Sequence, residues 1–563
     1  MVNLESRKLE SFLKFGILLS AVVLINISLN KWDIGFRLDF TEDQRYSIQS
    51  ATERILEDLD DVVYVEIYLE GDLPAGFRRL RNAVEEKLEQ FQFYGGQNIR
   101  FKFIDPETAN SDQAKNEFYR SLAERGIQPT NIFETKNGKR TQRLIFPGAI
   151  VSYGGIERPV TLLKGNRASG SQERLNQSIE GVEYELASAI RAMTSSGRKR
   201  IAILEGFGCL DSLDISGLTN ALLGQYDVFK TSLNRPSALQ TYDALIIPKP
   251  IEPFDDLDNY KIDQYIMNGG HVLFFLDLFN VKMDSVGEEG LLSLPLQLGL
   301  ESSLFKYGVR INPQMVQDLN SGTYPVVTGN FGDQPQIGFL PWPFHPVVIN
   351  FSDHPVTKNL DAVITRFVSP LDTVKAEGVI KTPLLFTSDY SRTLPSPVRV
   401  SFLDFQDPPG PELFQKKNIP VAYLLEGELS SAFKNRILPE GADKSSFKDK
   451  TSLGQIFIAA DGDFVRNEIS VETGNPLTLG AEQFSGTQYA NAEFILNLLN
   501  YMLDENRLIE ARTKEVELRP LDQIKLQEEK LFWQILNLGV PVALIVGFGL
   551  FKFFYRRNKY SKF

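Results

Sequence analysis

The sequence has almost none of the residues that form disulfides or bind transition metals. Its 563 residues include one cysteine, Cys209, and three histidines, His271, His345 and His354. One cysteine cannot form an internal disulfide, and so few cysteine and histidine side chains leave little material for a zinc centre. The net charge of −12 argues against a nucleic-acid-binding protein, which would present a basic face. We therefore expect no metal, no cofactor and no nucleic-acid partner.

Two long apolar runs lie at the two ends of the chain. Residues 12–29 carry one charge, near their start, and residues 531–551 carry none. As helices the two runs would be about 27 and 31 Å long, and a bilayer has a hydrocarbon core of roughly 30 Å. We predict that both are transmembrane helices. A cleaved signal peptide is the alternative for the first run, but no small-x-small cleavage site follows it.

The charges that flank the two runs predict the orientation of the chain. Positively charged residues stay on the cytoplasmic side of a membrane. Arg7, Lys8 and Lys14 lie before or at the start of the first run. The residues that follow the second run include Arg556, Arg557, Lys559 and Lys562. We therefore expect both termini to be cytoplasmic. Residues 31–530 would then lie in the periplasm, outside the bacterial cytoplasmic membrane.

Helix and strand patterns alternate between the two runs, which is typical of an α/β fold. The apolar stretches "YDALIIPKP" (242–250) and "HVLFFLDLF" (271–279) flank a helical pattern. Continuous apolar strands separated by helices predict a mainly parallel, Rossmann-like sheet in the second of two domains. Residues 322–346 are rich in proline and glycine, and they predict a long loop.

The predicted organisation has six parts. They are an N-terminal transmembrane anchor (1–30), a first extracytoplasmic α/β domain (31–197), a second such domain with a loop-rich insertion (198–510), a juxtamembrane helix (511–530), a C-terminal transmembrane helix (531–555) and a basic cytoplasmic tail (556–563).

Three motifs that could carry chemistry have a simpler interpretation. "GNRASG" (165–170) has the glycine spacing of a phosphate-binding loop but lacks the Lys-Ser/Thr pair that completes one. ATP hydrolysis is therefore expected in a partner subunit. Asp461 and Asp463 could bind a cation, but acidic residues beside glycine after a strand favour a turn. His345 and His354 each precede a proline, and we interpret both as structural.

The stretch "LEGFGCLD" (204–211) contains the single cysteine beside two glycines, where an apolar strand enters a turn. A cysteine nucleophile of the glutamine-amidotransferase type needs a Gly-x-Cys-x-Gly context, and also a histidine and a carboxylate that activate it. That context is missing, so we expect no catalytic residue. Turns at the carboxyl end of a parallel sheet often bind ligands, which makes Gly206, Phe207, Gly208 and Cys209 candidate ligand-binding residues.

The C-terminal apolar run contains residues that favour packing against other membrane helices. Asn537 offers a hydrogen-bonding side chain, and Gly539, Gly547 and Gly549 would allow a neighbouring helix to approach closely. Pro541 lies between them and predicts a kink. A passive anchor is the alternative interpretation, because glycine is common in membrane helices.

The motifs taken in order resemble those of the GldG family of gliding-motility-associated ABC transporter auxiliary or substrate-binding proteins. The resemblance covers nearly the whole chain, through "RYSIQSATERIL", "YLEGDLP", "FIDPE", "IDQYIMNGGHVLFFLD", "DGDFVRN" and "EEKLFWQILNLGVPV". It implies an ABC-type ATPase and a multi-span permease as partners in the cytoplasmic membrane, and a role in gliding motility. Relatives tend to have "GHGE" where this chain has Gly206 to Cys209, so a shared ligand does not follow.

Three functional interpretations remain open. The chain could be an auxiliary subunit that presents an extracytoplasmic module beside the permease. It could be a tethered receptor for an unidentified extracytoplasmic ligand. It could also be a membrane-tethered, amidotransferase-like enzyme, which the missing catalytic groups disfavour.

Overall fold

The computed structural model describes most of the chain between residues 47 and 560. The described residues are 16–17, 20, 47–108, 111–136, 139–164, 170–194, 197–234, 239–286, 290–331, 334–405, 407–504, 507–513 and 529–560. The predicted N-terminal transmembrane helix lies outside the described residues, apart from Gly16, Ile17 and Ser20. Most of the phosphate-loop-like stretch and of the predicted juxtamembrane helix lies outside them as well.

The first group of elements forms a small sheet covered by helices. Its members are α1 (Ser50–Glu57), β1 (Val63–Ile67), α2 (Ala75–Gly95), β2 (Ile99–Phe103), α3 (Asp112–Glu124), β3 (Thr130–Lys136), β4 (Lys139–Ile145), β5 (Gly148–Tyr153), β6 (Ile156–Thr161) and α4 (Ser171–Thr194). The sheet has the order β2-β1-β5-β6, and β3 pairs with β4 in a separate hairpin. Val63, Val65 and Ile67 alternate along β1 and are fully buried, as expected of a strand with one covered face.

The second group of elements is larger. It begins with β7 (Arg200–Leu204), α5 (Ser216–Leu223), β8 (Asp227–Thr231), β9 (Ala244–Pro248), α6 (Asp256–Met267), β10 (His271–Phe275), β11 (Leu291–Ser293), α7 (Glu301–Tyr307), β12 (Val309–Ile311), β13 (Gln314–Asp318), β14 (Ser321–Phe331), β15 (Gln334–Val348), β16 (Asn350–Phe351) and β17 (Val363–Ile364). It continues with β18 (Leu371–Thr373), β19 (Val379–Phe386), β20 (Ser391–Pro395), β21 (Val398–Val400), β22 (Pro420–Gly427), β23 (Leu429–Ser430), β24 (Lys450–Thr451), β25 (Ile456–Ala459), β26 (Ala481–Glu482), β27 (Thr487–Gln488) and α8 (Asn491–Leu503).

An eight-stranded sheet organises this second group, with the order β16-β19-β22-β25-β10-β9-β7-β8. The five strands from β25 to β8 run parallel to one another, and β22, β19 and β16 extend them in antiparallel fashion. The α/β class is therefore confirmed. Five of the eight strands are parallel, and the three antiparallel strands that extend them make the sheet as a whole mixed.

The parallel strands have the order β8-β7-β9-β10-β25, which is the 2-1-3-4-5 order of flavodoxin-like sheets. β8 lies on one side of β7 and β9 on the other. The connections therefore leave this point in opposite directions and open a crevice at the carboxyl ends of β7 and β9. Apolar residues fill β9 and β10 because both faces of these central strands are covered.

The proline- and glycine-rich stretch at residues 322–346 is not a loop, as the sequence had suggested, but most of a long hairpin. β14 and β15 pair antiparallel from Ser321–Pro346 to Phe331–Gln334. The prediction was wrong because proline is tolerated on strands with an open edge. Each strand of this two-stranded ribbon has such an edge over most of its length, since β17 pairs only with Val347 and Val348.

The segment Leu508–Thr513 is a 3₁₀ helix that packs into the first group of elements. Leu508, Ile509 and Ala511 are buried in the same apolar core as β1 and α4. The chain therefore returns to the first core after it has completed the second. The predicted domain boundaries remain predictions.

The C-terminal residues form a separate compact unit. It consists of α9 (Lys530–Gln534), a π-helical turn (Ile535–Gly539) and α10 (Val540–Tyr560). In the described part of the chain, Lys530–Lys559 is the helical span that is long and apolar enough to cross a membrane. The π-helical turn ends two residues before Pro541, whose missing N–H interrupts regular α-helical hydrogen bonding.

Candidate functional site

The predicted turn follows β7 and lies at the switch point of the sheet. Gly206, Phe207 and Gly208 all have a left-handed backbone, with φ of 96°, 54° and 63°. A non-glycine residue pays a conformational cost in this region, so the turn must be held by its surroundings. Both β7 and β9 end here, which places the turn in the crevice where flavodoxin-like sheets bind ligands.

The loop that follows β9 holds the turn in place. The backbone N–H groups of Ile251 and Glu252 both donate to the carbonyl oxygen of Phe207, each at 2.9 Å. The ring of Phe207 stacks on Phe254 with the ring centroids 4.2 Å apart. A Cβ atom on Gly208 would lie 2.3 Å from Cγ1 of Ile251, so only glycine fits there.

Cys209 is half-buried at the edge of this turn. Burial, and secondarily the nearby Glu252 carboxylate, raises the pKa of its thiol to about 12. The thiolate is the reactive form of cysteine, and at neutral pH this side chain is a thiol. That state weighs against the amidotransferase-like interpretation. The absence of a catalytic residue remains a prediction.

A buried lysine and three buried carboxylates lie at the ends of the neighbouring parallel strands. Lys249 directly follows β9, Asp277 lies two residues beyond β10, and Asp461 and Asp463 follow β25. The Lys249 Nζ atom lies 2.8 Å from Oδ2 of Asp277 and 2.5 Å from Oδ2 of Asp463. We call these four residues the Lys249 cluster. The carboxylates follow strands as the sequence indicated, but they point inward.

The three carboxyl groups of the Lys249 cluster differ in their pKa. Burial raises the pKa of Asp277 to about 6, although Lys249 opposes the shift. Burial, with the charges of Asp277 and Asp463, raises the pKa of Asp461 well above its ordinary value. Burial also acts on Asp463, but the cations Lys249 and Arg466 outweigh it and lower the pKa of that group. Asp463 is therefore the carboxyl group of the cluster that ionises most readily.

The three carboxylates could together hold a metal ion, since each offers an oxygen within 4.8 Å of the others. However, the Lys249 ammonium already bridges Asp277 and Asp463. The two oxygens of Asp461 accept hydrogen bonds from the backbone N–H groups of Arg366 (2.8 Å) and Phe464 (3.1 Å). The arrangement fits an internal ion-pair cluster better than a metal centre. The expectation of no metal remains a prediction.

A cleft of about 660 Å³ opens beside the Lys249 cluster and reaches the predicted turn. Its two arginines are paired with carboxylates: Arg366 lies 2.5 Å from Glu468, and Arg466 makes two bonds of 3.1 and 3.0 Å to Asp214. Lys282 and Asp211 line the cleft as well, and both are exposed. Gly208 and Cys209 line the same cleft, with Lys249 and Asp463. The structure therefore brings the predicted turn together with charged residues that the sequence analysis missed.

The two histidines that the sequence analysis interpreted as structural, His345 and His354, are buried to different extents. Burial, assisted by Arg366, lowers the pKa of His345 to about 3, so its ring is neutral at physiological pH. His354 uses its Nδ1 atom to accept a hydrogen bond from the backbone N–H of Val356 at 3.3 Å. His345 lines the cleft.

Lys249 and Asp277, which the sequence analysis missed, share one sequence signal with Asp461, which it had considered as a cation ligand. Lys249, Asp277 and Asp461 each follow a short, uninterrupted apolar strand, in "ALIIPK", "HVLFFLD" and "IFIAAD". A polar residue in this place sits at the carboxyl edge of a parallel sheet, where binding sites form. Arg366 and Arg466 give no such signal, because the loops that carry them are placed by tertiary contacts.

The predicted packing residues of the C-terminal helix are exposed in this unit. Asn537 and Gly539 belong to the π-helical turn, and Gly547 and Gly549 to α10. A Cβ atom added at Gly547 or Gly549 would meet no atom within 4 Å. The helix surface at these two glycines is exposed and has no side chain that would keep a neighbouring helix at a distance. Their role in packing remains a prediction.

Comparison with known proteins gives a family for more than half of the chain. Residues 198–498 match the family described as an ABC-type uncharacterized transport system, whose members are auxiliary components. The chain belongs to this family. Residues 42–152 match a separate domain family of unknown function. The membership supports an auxiliary role in ABC transport and is compatible with a membrane location.

Individual relatives add little to the family assignment. An uncharacterized protein of Borreliella burgdorferi is 20% identical, over 99% of this chain and 100% of its own length. Among solved structures, the mmIFT52 N-terminal domain (13% identity, 54% of this chain and 97% of that chain, TM-score 0.30) is similar. So is a ThuA-like protein from Parabacteroides merdae (12% identity, 58% and 93%, TM-score 0.26). These scores support no conclusion about fold or function.

The turn of this ABC auxiliary protein provides the first test. Replacing Gly208 by alanine should lower the free energy of unfolding by about 1–3 kcal/mol, because the backbone is left-handed and the new methyl group collides with Ile251. Gly206→Ala is the control: its backbone is also left-handed, with φ of 96°, but the added methyl group meets open space, so we expect a loss of only about 1 kcal/mol. Thermal or urea unfolding of the full chain measures both. Equal losses, or no relief of Gly208→Ala by Ile251→Ala, would contradict the packing argument.

The Lys249 cluster provides the second test. Lys249→Met should destabilise the fold by about 3–5 kcal/mol, because it leaves buried carboxylates without their cation. Without the ammonium, the folded-state pKa values of Asp277 and Asp461 rise further above the unfolded values, and the pKa of Asp463 loses the cation that lowers it. Stability should then be retained at pH 5 and lost as the pH rises to 8. The free energy of unfolding, measured at pH 5 and at pH 8, tests whether the stability of the variant falls as the pH rises.

Two further variants control the Lys249 experiment. Lys282→Met removes an exposed lysine from the same cleft and should leave stability unchanged. Lys249→Met combined with Asp463→Asn should recover part of the loss at pH 8, because it removes one of the unpaired charges. A loss that is independent of pH, or the same in Lys282→Met, would show that the cluster contributes through packing alone.

Proposed function

We propose that this chain is the membrane-anchored auxiliary, substrate-binding subunit of an ABC transporter that serves gliding motility. The family match over residues 198–498 carries the transport part of the proposal. The motility part rests on the resemblance of the ordered sequence motifs to the GldG family. In this proposal an ABC-type ATPase hydrolyses ATP and a multi-span permease forms the pathway, while this chain presents its extracytoplasmic cores beside the permease.

The cleft supports a ligand-binding role within the same complex. It lies at the switch point of the eight-stranded sheet, has a volume of about 660 Å³, and combines apolar walls with paired charges. These are the features of small-molecule sites in open α/β sheets. A tethered receptor is therefore the second candidate, and it would hand its ligand to a neighbouring permease because the membrane anchor prevents diffusion. We do not propose an enzyme.

Labelling of introduced cysteines tests the proposed topology. Val327 is 66% exposed in the hairpin, and Lys559 is exposed near the end of α10. An impermeant maleimide should label Val327→Cys in intact spheroplasts and Lys559→Cys only after permeabilisation. The parent chain is the control, because its half-buried Cys209 has a pKa of about 12, is therefore a thiol at neutral pH, and should stay unlabelled. Labelling of Lys559→Cys from outside would overturn the orientation.

Recovery of the complex tests the proposed partners. The full chain, purified in a mild detergent, should bring with it a multi-span permease and an ATPase that mass spectrometry can identify. Gly547→Leu combined with Gly549→Leu should reduce permease recovery several-fold without affecting insertion, since close helix approach in lipid needs small residues. Val542→Leu combined with Val546→Leu is the matched control, and it should recover the permease normally.

Two results would contradict this proposal. Purification of the wild-type chain without any permease would argue against an auxiliary subunit. Full permease recovery with the glycine variant would mean that α10 is a passive anchor, even if the complex exists.

A further inference from the structure

The hairpin of β14 and β15 exposes an apolar face along its length. Three directly paired positions share this face: Thr323 with Pro341, Pro325 with Phe339, and Val327 with Ile337. Val327, Ile337 and Phe339 are 66%, 58% and 46% exposed, and Phe484 lies beside Phe339 with a ring-centroid distance of 6.1 Å. We call these seven residues the hairpin stripe.

The hairpin stripe is not needed to hold the hairpin on the protein. The opposite face does this through Tyr324 and Trp342, which pack in an aromatic core with Phe402 and Phe405. Residues 321–348 contain a single carboxylate, Asp333, and no lysine or arginine, although 23% of the chain is charged. A contiguous apolar surface without charge costs solubility and marks a binding surface.

The hairpin stripe continues into the cleft. Thr323, Pro325 and Phe484 belong to both, so the apolar surface has no break between the outer hairpin and the cleft mouth. The stripe from Thr323 to Val327 is about 13 Å long at the usual rise of a strand.

Each buried or half-buried cation that lines the cleft is paired with a carboxylate, so this part of the lining offers hydrogen bonds but little unbalanced charge. Lys249 is paired with Asp463, Arg466 with Asp214, and Arg366 with Glu468. Three buried polar atoms that line the cleft have no hydrogen-bond partner among the described residues: Nε2 of His345, Oγ1 of Thr323 and Nε of Arg366. His345 is only 6% exposed. A buried polar atom without a partner is costly, so these three point to a polar group that is supplied from outside.

We propose that the cleft and the hairpin stripe together bind a single-chain amphiphile, with an uncharged, hydroxyl-bearing head in the cleft and its acyl tail on the stripe. The proposal rests on the proposed function, because it names the ligand class of the site assigned there. The paired charges explain the preference for an uncharged head, and the orphaned atoms supply its hydrogen bonds. A second protein would match the stripe but would leave the polar end of the cleft unexplained.

Photolabelling of the full chain in lipid nanodiscs tests this proposal. The probe is a monoacylglycerol with a diazirine in its acyl chain, and the labelled peptides are mapped by mass spectrometry. The label should map to β14, β15 and the segment around Phe484. Unlabelled monolauroylglycerol should compete more strongly than laurate or dodecyltrimethylammonium, whose heads are charged.

Two variants and a control locate the two ends of the ligand. Val327→Ser combined with Ile337→Ser should weaken labelling about tenfold, since it removes apolar area from the stripe. Ile437→Ser combined with Leu453→Ser changes two other exposed apolar residues, 98% and 72% exposed, and should label normally. Thr323→Val removes an unpaired hydroxyl without a change of shape. It should keep tail labelling and lose the preference for the glycerol head over laurate.

Three results would overturn the proposal. Labelling confined to other parts of the chain, or reduced equally in the control variant, would exclude the stripe. Equal competition by monolauroylglycerol, laurate and dodecyltrimethylammonium would show that the apolar surface binds the tail but that the cleft does not recognise the head group. Absence of lipid label, with cross-links between copies that the stripe variant abolishes, would make this face an interface between two copies. Permease recovery with the same stripe variant separates these results from failure of the proposed function.

Discussion

The Lys249 ammonium, buried between the carboxylates of Asp277 and Asp463, is the interaction on which the candidate site depends. It joins the ends of three adjacent parallel strands, β9, β10 and β25, at the edge where the cleft opens. Burying one of these charges alone would be expensive, and the cost is offset only when all of them are brought together. The cluster therefore requires the strand order that creates the switch point. Lys249 itself adopts a left-handed backbone, with φ of 51°, to reach the carboxylates.

The Lys249 cluster also holds charged residues in other parts of the cleft in position. Arg466 connects Asp463 to Asp214, which lies in the loop after the Gly206–Cys209 turn, at 3.3 and 3.0 Å respectively. Asp461 fixes the backbone of Arg366, whose guanidinium pairs with Glu468 on the opposite wall. These pairs span parts of the chain that are far apart in sequence. They balance the buried and half-buried cations of the cleft, so that this part of the lining offers hydrogen bonds rather than net charge to a ligand.

A second set of buried charges ties the two apolar cores to the segment that precedes the C-terminal helix. Arg512 donates to the carbonyl oxygen of Lys358 at 2.7 Å and lies 3.5 Å from Glu493 of α8. Lys164 lies 3.5 Å from the same Glu493 and 2.8 Å from Glu185 of α4. Burial raises the pKa of Glu493, but Lys164 and Arg512 outweigh it, so the net shift is downward and the carboxylate stays charged. Leu508–Thr513 is thus fastened to both cores and not to one alone.

The sequence by itself determined the elements whose signal is local. The apolar strands β7, β9, β10 and β25, the glycine-rich turn after β7 and the apolar helix Lys530–Lys559 are set by hydrophobic pattern and glycine placement, which act over a few residues. Only the tertiary structure decided the rest. The prolines of residues 322–346 suggested a loop, but open strand edges accept them in β14 and β15. Lys249 and Asp463 are 214 residues apart, and no local sequence pattern predicts that they form an ion pair. The site is therefore a property of strand order, because strand order alone decides which buried charges meet.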